Sequence, residues 1–443
     1  MPNSYWDRYK GKTVGFVGLG ISNRPVFDRL VQYGVRCVVR DRKPLTDSFA
    51  PCVKLVTGEH YLDGIDEDVL FLSPAVRPDI PALLDASKRG VSVTSEMQEF
   101  FSNSPCHIIG VTGSDGKTTT TTLIGKLLEA SGASVRLGGN IGINLLAEID
   151  DIRPDEYAVV ELSSFQLFKM TRSPDIAVIT NLAPNHLDWH RGMQEYADAK
   201  ANILRFQKAA GVAVLNADDP YTERYASESK GSVRLFSGCR KLEDGVWFDQ
   251  EGIYRGDKKI LCDSDILAVG RHNRYNYCAA IAALGDLVSE ENIKSVATSF
   301  RGVEHRIEFV REWNGIRFFN SSIDSSPSRT RACLSSFSDK VIVICGGYDK
   351  QIPLDSLGPL FLEKVKHAFV CGATAEKLEA VFSASGFQSY EVKPTFDEAV
   401  SSAAARAEPG DCVVLSPAAA SFDQFKNFEE RGNRFKQLIM NLK

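Results

Sequence analysis

Two glycines, a lysine and a run of threonines meet in the segment "GVTGSDGKTTTTT", residues 110–122. The segment follows an apolar run and leads into an amphipathic stretch, so we expect it at a turn from a strand into a helix. Backbone N–H groups in such a turn, with the positive end of the helix, form an anion site. Lys117 adds a positive charge for terminal phosphates, and the Thr118 hydroxyl is suited to Mg²⁺. The segment therefore predicts a phosphate-binding loop.

This loop is shorter than the common pattern G-x-x-x-x-G-K-[ST]. That pattern requires a glycine at position 111, where the chain has Val111, and the glycines present are Gly113 and Gly116. An ordinary turn with a threonine cap is the alternative interpretation. Phosphate binding is favoured because the strand, the glycine turn, the lysine and the helix follow one another in the order that this function requires.

Two later segments carry polar side chains at the ends of predicted strands. The first, "EYAVVELSSFQ", ends on Glu161, and the second, "DIAVITNLAPNHLDWH", carries Asn181, His186 and Asp188. The carboxyl ends of parallel strands meet at one edge of a sheet, so these side chains are expected beside the phosphate loop. A carboxylate and an imidazole beside a triphosphate indicate magnesium binding. Taken singly, His186 is equally consistent with a structural histidine, and Glu161 with an ion-pair partner of a lysine.

The N-terminal segment "KTVGFVGLGISNRPVFDRLVQYG" has the pattern of a strand, a glycine turn and a helix, and a second strand, "VRCVVRD", follows it. Gly18 and Gly20 allow close approach of a phosphate, but Asn23 stands where a dinucleotide-binding pattern has its third glycine. Asp41 ends the second strand, where an acid can bind a ribose hydroxyl or a base edge; a solvated aspartate is the alternative. Ser73, in "LFLSPAVRPD", is expected at the same edge of the sheet.

Composition limits the remaining possibilities. A chain of 443 residues that is 43% hydrophobic exceeds what one core organises, so two or three domains are expected. Short β-branched runs alternate with amphipathic segments, which is typical of α/β domains with parallel sheets. The net charge of −5 argues against a nucleic-acid or membrane-surface partner. Ten cysteines without a C-x-x-C pair, and the lack of a long apolar stretch, favour reduced thiols in a cytoplasmic protein.

Taken together, these segments resemble the ATP-dependent Mur ligases of peptidoglycan synthesis, whose shortened phosphate loop reads T-G-[TS]-[ND]-G-K-[ST]. The loop "TGSDGKTT" fits, as do "GGNIGINLL", "ELSSFQL", "NHLDWH", "YADAKANI", "HNRYN" and "EHRIE". The resemblance runs through nearly the whole chain. It is strongest to the members that add D-glutamate, through "ELSSFQL" and "LSPAAASFDQFKNFEERGNRF", and the D-N-P-[RK] loop of the sister enzymes that add diaminopimelate or lysine does not occur.

The resemblance implies an α/β protein of three domains. Residues 1–97 would form a Rossmann-like domain for the UDP-substrate, residues 98–301 a central ATP-binding domain of the P-loop type with a parallel or mixed sheet, and residues 302–443 a Rossmann-like domain for D-glutamate. The implied reaction phosphorylates the carboxylate of UDP-N-acetylmuramoyl-L-alanine with ATP. The amine of D-glutamate then attacks the acyl phosphate, giving an amide, ADP and phosphate.

The resemblance also implies site residues, with Lys117, His186 and Lys200 in catalytic roles. Those for ATP are Gly113, Ser114, Asp115, Gly116, Lys117, Thr118, Thr119, Asn273, Asn276 and Arg306. Those for the UDP-substrate are Gly20, Ile21, Ser22, Asp41, Ser73, Asn140, Ser163 and Ser164. Those for D-glutamate are Ser325, Lys350, Ser416, Ser421 and Phe422. One or two Mg²⁺ ions, with Mn²⁺ as an alternative, would be held by Thr118, Glu161, His186 and a carbamoylated Lys200.

One segment departs from the family pattern. Where many relatives read N-D-S-K-[AS]-T, this chain reads "NSSIDSSPSRT", with Ser321 at the usual aspartate and Ile323 at the usual lysine. Asp324, Arg329 and Arg331 are candidates to compensate. A second departure is Ala75, which follows Ser-Pro where a glycine is common.

Two alternatives to a D-glutamate-adding enzyme stay open. A related Mur-type or folylpolyglutamate-type ligase with another acceptor shares the phosphate loop, but residues 1–97 weigh against the folylpolyglutamate type because such an enzyme has no uridine-type N-terminal domain. A non-catalytic relative that only binds a UDP-sugar or ATP is motivated by Ser321 and Ile323. We expect a cytoplasmic monomer with small-molecule substrates and neither a nucleic-acid nor a membrane partner.

Overall fold

Three sheets, one in each predicted domain, form the framework of the chain in a computed structural model that describes residues 4–46, 48–187 and 189–442. The predicted α/β class, with parallel and mixed sheets, is confirmed. Within these described ranges, no helix has the length and apolar character needed to cross a membrane.

The first sheet has five parallel strands in the order β3-β2-β1-β4-β5. The strands are β1 (Thr13–Val17), β2 (Arg36–Asp41), β3 (Val53–Thr57), β4 (Val69–Leu72) and β5 (Ser92–Thr94), and the helices are α1 (Arg24–Gln32), α2 (Pro81–Lys88) and α3 (Glu96–Asn103). Strand order reverses between β1 and β4, which opens a crevice at their carboxyl ends. The Gly18 turn and Ser73 lie at that crevice because they directly follow these two strands.

The second sheet has nine strands in the order β14-β13-β12-β11-β10-β9-β6-β8-β7. The strands are β6 (His107–Thr112), β7 (Val135–Gly139), β8 (Tyr157–Glu161), β9 (Ile176–Ile179), β10 (Val212–Asn216), β11 (Ser232–Ser237), β12 (Gly245–Phe248), β13 (Gly252–Arg255) and β14 (Lys258–Cys262). The helices of this region are α4 (Lys117–Ala130), α5 (Ser164–Leu167), α6 (Met193–Arg205), α7 (Pro220–Tyr225), α8 (Arg271–Leu284) and α9 (Glu290–Ala297). Strand β6 lies between β8 and β9 and is parallel to both, so the loop after β6 has a strand end on each side.

The third sheet has six strands in the order β15-β16-β20-β17-β18-β19, and only the β15–β16 pair is antiparallel. The strands are β15 (Glu308–Trp313), β16 (Ile316–Asn320), β17 (Val341–Cys345), β18 (Val365–Val370), β19 (Tyr390–Val392) and β20 (Cys412–Leu415). The helices are α10 (Pro327–Leu334), α11 (Leu357–Lys364), α12 (Ala375–Ser385), α13 (Phe396–Arg406) and α14 (Phe428–Met440). Alternate residues of β17 belong to two different cores, because successive side chains of a strand point to opposite faces.

Two compact units divide the chain. The N-terminal unit comprises residues 1–260 and 275–293, and the C-terminal unit comprises residues 261–274 and 294–443. The first two sheets share one hydrophobic core inside the N-terminal unit, to which Phe16, Phe100 and Leu146 all belong. The boundary that the sequence predicts between residues 97 and 98 falls inside α3, and the three domain limits stay predictions.

Candidate active site

The phosphate loop connects β6 to α4 and depends on both of its glycines. Gly113 has φ 149° and Gly116, which caps α4, has φ 78°, a region that side chains with a Cβ rarely adopt. A Cβ at Gly113 would lie 1.9 Å from Thr180 Oγ1, and one at Gly116 would lie 2.3 Å from Asn276 Oδ1. The N–H groups of Ser114 and Asp115 donate to Asn181, at 2.8 and 3.0 Å, which anchors the loop to the strand-end segment after β9. The N-terminus of α4 is therefore the part of the loop that stays predicted to bind the phosphates.

Two lysine amines converge on one carbonyl oxygen in this loop. The Nζ atoms of Lys117 and Lys200 each donate to the oxygen of Gly113, at 2.9 and 2.8 Å. Lys117 also donates to the oxygen of Ser114, and Lys200 to Thr112 Oγ1 at 3.1 Å. Lys200 is only 2% exposed, and its burial, with the nearby charge of Lys117, holds the pKa of its amine well below the ordinary value. Burial and a neighbouring positive charge both disfavour the protonated form of this amine.

Glu161 ends β8 with one carboxylate oxygen engaged and the other without a partner. Its Oε1 atom accepts a hydrogen bond from Asn140 Nδ2 at 2.8 Å, whereas its buried Oε2 atom has no hydrogen-bond partner. An unpartnered buried carboxylate oxygen is costly unless a cation or donor joins it, so this atom fits a metal ligand. Among the described residues, no group of three or more His, Cys, Asp and Glu side chains gathers as a metal site. The fit to magnesium therefore relies on oxygen ligands of other kinds, such as the Thr118 hydroxyl.

The two histidines of the segment after β9 have different surroundings. His186, with φ 53°, is exposed, and its ring lies 4.9 Å from that of Phe165. Asp188 lies outside the described residues. His190, which the sequence analysis overlooks although it closes the "NHLDWH" motif, is buried, and its Nε2 atom lies 2.9 Å from Ser164 Oγ. Burial lowers the pKa of His190, so its neutral ring orients the hydroxyl of Ser164.

The residues predicted to contact adenine and the phosphates fall in both units. In the N-terminal unit, Asn276 Oδ1 accepts a hydrogen bond from Thr120 Oγ1 at 3.3 Å and lies beside Gly116. In the C-terminal unit, Asn273 Nδ2 donates to the oxygen of Val269 at 2.7 Å. Thr119 is buried under the first turn of α4.

Arg306 is flanked by strained backbone. His305 has φ 62° and Ile307 has φ 46°, and a left-handed conformation is unusual for a β-branched residue. Such strain costs of order 1–3 kcal/mol and collects where a side chain must be held in one direction. This strain supports a functional role for the half-buried Arg306.

The N-terminal loops predicted for the UDP-substrate surround the crevice of the first sheet. Ile21 is almost fully exposed after Gly20, and the oxygen of Ser22 accepts from Asn144 Nδ2 at 2.8 Å. Asp41 Oδ1 accepts from the N–H of Lys43 at 2.9 Å. Asn23 replaces the third glycine without disrupting the turn, because its buried amide donates to the oxygen of Gly18 at 2.8 Å.

A cavity of about 230 Å³ lies beside these loops in the N-terminal unit. Its lining includes Ser22, Ser73, Glu96, Phe165, Gln166 and Phe168. Glu96 is 5% exposed, no described residue hydrogen-bonds its carboxyl group, and burial raises the pKa of that group to about 8. A neutral carboxyl group facing a cavity can donate a hydrogen bond to an uncharged acceptor of a ligand. Glu96 is not predicted as a site residue from the sequence, because an acid in the first turn of a helix is ordinarily a solvent-exposed residue.

Ser163 and Ser164 sit at the start of α5, next to this cavity. Ser163 Oγ accepts from the N–H of Gln166 at 3.2 Å, and Gln166 Oε1 accepts from the N–H of Ser163 at 2.9 Å. This reciprocal capping box fixes the direction of a helix of only one turn. Ser164 is thereby presented to His190, whereas Asn140 is exposed and bound to Glu161.

In the C-terminal unit, the residues predicted for D-glutamate follow β16, β17 and β20. Ser416 is buried, and its Oγ atom donates to Asp324 Oδ2 at 2.8 Å and lies 3.0 Å from Thr330 Oγ1. Lys350 is exposed and Ser325 half-buried. Ser421 is buried, and Phe422, 62% exposed, packs edge-on against Tyr348 with ring centroids 5.9 Å apart.

A buried arginine from α14 holds two of these loops together. Arg431 donates to the oxygen and the hydroxyl of Ser322, at 2.8 and 3.0 Å, and to the oxygens of Ala419 and Ala420, at 3.1 and 2.9 Å. All four acceptors are neutral, and burial lowers the pKa of Arg431 to about 10. Arg431 thus joins the loop after β20 to the loop after β16.

At the departures from the family pattern, Ser321 makes a hydrogen bond through its side chain, whereas Ile323 and Ala75 make theirs through backbone oxygens that any residue supplies. Ser321 Oγ accepts from the N–H of Ile307 at 3.2 Å, and the oxygen of Ile323 accepts from Arg329 at 3.0 Å. Arg331 donates to the oxygen of Ser356 at 2.6 Å. The oxygen of Ala75 accepts from Trp189 Nε1 at 3.2 Å.

Gly113→Ala is expected to weaken nucleotide binding by about tenfold or more, because the new Cβ meets Thr180 in a backbone conformation that alanine disfavours. Gly132→Ala is the matched control, since Gly132 has φ 84° with nothing within 4 Å of the added Cβ. Titration of both variants with ATP, with thermal unfolding as a check of folding, measures the difference. Equal ATP affinity in the two variants would contradict the assignment of the loop.

Known proteins are similar to this chain both in single domains and along the whole sequence. The family model of the Mur ligase middle domain matches residues 111–284, and that of the Mur ligase glutamate ligase domain matches residues 305–419. The UDP-N-acetylmuramoylalanine–D-glutamate ligase of Acetivibrio thermocellus is 48% identical over 99% of this chain and 98% of its own length. The protein of the same name from Ruminiclostridium cellulolyticum is 46% identical over 98% of this chain and 97% of its own.

Solved structures agree at the level of the fold. The UDP-N-acetylmuramate-alanine ligase of Thermotoga maritima has a TM-score of 0.60 at 17% identity and covers 98% of this chain and 100% of its own. A UDP-N-acetylmuramoyl-L-alanyl-D-glutamate–2,6-diaminopimelate ligase has a TM-score of 0.56 at 18% identity, covering 78% and 80%. With relatives of 46–48% identity along nearly its whole length and both family models matched in order, the chain belongs to the Mur ligase family.

Proposed function

We propose that this chain is an ATP-dependent ligase that joins the amine of D-glutamate to the carboxylate of UDP-N-acetylmuramoyl-L-alanine, with ADP and phosphate as the other products. The observation that carries the proposal is the 48% identity, over 99% of the chain, to a protein named for D-glutamate ligation. The five-stranded sheet of residues 13–94 supports it further, because a folylpolyglutamate-type ligase has no uridine-type domain at that place.

Each predicted domain receives one substrate in this proposal. Residues 1–97 bind the UDP-substrate, with the cavity beside Ser73 and Glu96 as part of that site. Residues 98–301 bind ATP at the N-terminus of α4, and residues 302–443 bind D-glutamate through Ser325, Lys350, Ser416, Ser421 and Phe422. Glu96 donates a hydrogen bond to an uncharged group of the UDP-substrate, which suits a neutral carboxyl group in a partly aromatic cavity.

The first chemical step is attack of a substrate carboxylate oxygen on the γ-phosphorus of ATP. The bond between that phosphorus and the bridging oxygen breaks, and ADP leaves. The protein has to neutralise the charge on the transferring phosphoryl group and hold the reacting atoms in line. Lys117 and the N-terminus of α4 supply positive charge at that place, and Asn140, Ser163 and Ser164 hold the muramoyl-peptide.

The second step is attack of the D-glutamate amine on the acyl carbon. The tetrahedral intermediate collapses when the bond from the acyl carbon to the phosphate oxygen breaks, and phosphate leaves with the electron pair. The amine loses a proton as the amide forms. Exclusion of water protects the acyl phosphate from hydrolysis.

Magnesium fits the oxygen ligands of the central domain. Glu161 Oε2, buried without a partner, and the Thr118 hydroxyl would hold one ion, and His186 with a carbamoylated Lys200 would hold a second. Mg²⁺, or Mn²⁺ in its place, supplies charge neutralisation at the phosphates when bound.

The carbamate on Lys200 is supported by the burial of its amine. A neutral Nζ attacks the carbon of CO₂ and loses one proton, which turns a buried amine into an anionic oxygen ligand. The low pKa of Lys200 supports this reaction, because only the unprotonated amine is a nucleophile. We further propose a monomer that works in the cytoplasm on small molecules, since ATP and a UDP-sugar are its substrates.

Lys200→Ala is expected to slow phosphate release by about 100-fold, because the anionic ligand that would hold a magnesium ion beside the phosphates is lost. Acetate or formate should restore part of the rate by replacing the carbamate. Lys208→Ala, at an exposed lysine just beyond α6, serves as the control. A carbamate carbon resonance after incubation with ¹³C-bicarbonate should occur in the wild type and be absent in Lys200→Ala. Lack of that resonance in the folded wild type would contradict the carbamate.

Phosphate release with ATP, Mg²⁺ and UDP-N-acetylmuramoyl-L-alanine tests the function itself. We expect release with D-glutamate and none with L-glutamate, lysine or no amino acid, because the relatives are named for the D-enantiomer. Dependence on the UDP-sugar separates this activity from a folylpolyglutamate-type ligase. Binding of ATP and the UDP-sugar without release under any condition would contradict the proposal and favour a non-catalytic relative.

A further inference from the structure

The unusual segment after β16 carries a buried carboxyl group in the predicted D-glutamate region. Asp324 follows Ile323, the residue that stands where many relatives have a lysine, and it is only 5% exposed. Its N–H donates to the oxygen of Ser321 at 3.0 Å, which turns the chain at this point. The carboxyl group of Asp324 therefore lies inside the C-terminal unit, near the carboxyl end of β16.

Sheet register brings this carboxyl group to Ser416. Strands β16 and β20 are parallel neighbours with Asn320 opposite Leu415, so the segments that follow them leave the sheet side by side. Ser416 Oγ lies 2.8 Å from Asp324 Oδ2 and 3.0 Å from Thr330 Oγ1. Thr330 is itself fully buried on α10. The three side chains form one hydrogen-bonded cluster.

A serine hydroxyl has a single proton to donate. In this structure Ser416 donates it to Asp324. A carboxylate of a bound amino acid needs the same proton, because a carboxylate can only accept hydrogen bonds. The ionised Asp324 and an amino-acid carboxylate are therefore mutually exclusive acceptors for Ser416, and their like charges repel each other.

The surroundings of Asp324 leave its charge responsive to pH. Burial raises the pKa of Asp324 to about 6, against the opposing effects of hydrogen bonds from Ser321, Ser416 and Cys333 and of the charge of Arg329. Arg431 on α14 also faces Asp324, and Arg431 itself faces Asp423 as well. Above about pH 6 the carboxylate holds the Ser416 proton, and below it the neutral carboxyl group has a proton of its own to donate.

We propose that Asp324 is a positioning residue that competes with the acceptor amino acid for the hydroxyl of Ser416 and so sets the KM for D-glutamate. This inference rests on the proposed function, in which Ser416 binds a D-glutamate carboxylate. Asp324 touches no reacting atom and acts only through Ser416. Its neutralisation makes the hydroxyl available to the substrate and removes a negative charge from the site.

The test is steady-state kinetics from pH 5.5 to 8 on the full chain, with Asp324→Asn and Asp324→Ala. At pH 8 both variants should lower the KM for D-glutamate by about threefold to tenfold, the value of one hydrogen bond, with unchanged kcat. The KM of the wild type divided by that of each variant should fall toward 1 at pH 5.5, because Asp324 is then neutral. Use of this ratio cancels the titration of D-glutamate itself.

The KM values for ATP and the UDP-sugar should not change, which shows that the variants are folded. An unchanged or raised KM for D-glutamate in both folded variants would overturn the inference. Ser416→Ala separates this failure from that of the proposed site. If D-glutamate-dependent phosphate release continues in Ser416→Ala with an unchanged KM, Ser416 does not bind the amino acid and the inference is overturned, while the ligase function stands.

Discussion

The carbonyl oxygen of Gly113 accepts hydrogen bonds from two lysines, and the chemistry of the central domain depends on that arrangement. Two ammonium groups so close together, one of them buried, are unfavourable unless one of them loses its proton. Lys200 is the buried one, and its pKa is lowered accordingly. Lys117 remains the cation at the phosphate loop. One carbonyl oxygen thus engages both the amine that we propose for the phosphates and a buried amine whose protonated form is disfavoured.

The fold supplies the conditions for this arrangement. Strand β6 lies between β8 and β9, so its loop receives Glu161 from one side and Asn181 from the other. The shortened loop brings the backbone close to these neighbours, and only glycine at position 113 avoids Thr180. In the C-terminal unit, too, the ends of neighbouring parallel strands bring polar side chains together. There the ends of β16 and β20 bring the carboxyl group of Asp324 to the hydroxyl of Ser416.

The sequence alone predicts those parts of the site in which function depends on local pattern. The glycine loop, Lys117 and Glu161 are predicted from residue type and position after a strand, and the structure places all three at the end of β6 or β8. Glu96, His190 and Arg431 could not be predicted in this way, since each acquires its role from burial against segments distant in the chain. Lys200 is intermediate: the family resemblance identifies it, but only the structure shows the burial that lowers the pKa of its amine. Asp324 stands out in the sequence because it lies in the segment that departs from the family pattern. Its contact with Ser416 follows only from the register of β16 and β20.

The central claim is that a substrate carboxylate is activated as an acyl phosphate before the amine attacks. The most direct measurement uses UDP-N-acetylmuramoyl-L-alanine with ¹⁸O in its free carboxylate, together with ATP, Mg²⁺ and D-glutamate, and determines the isotope in the released phosphate by mass spectrometry. The account predicts one ¹⁸O atom in each phosphate released, because the bond that breaks joins the acyl carbon to the former carboxylate oxygen. Phosphate without ¹⁸O, released as the amide forms, would contradict it.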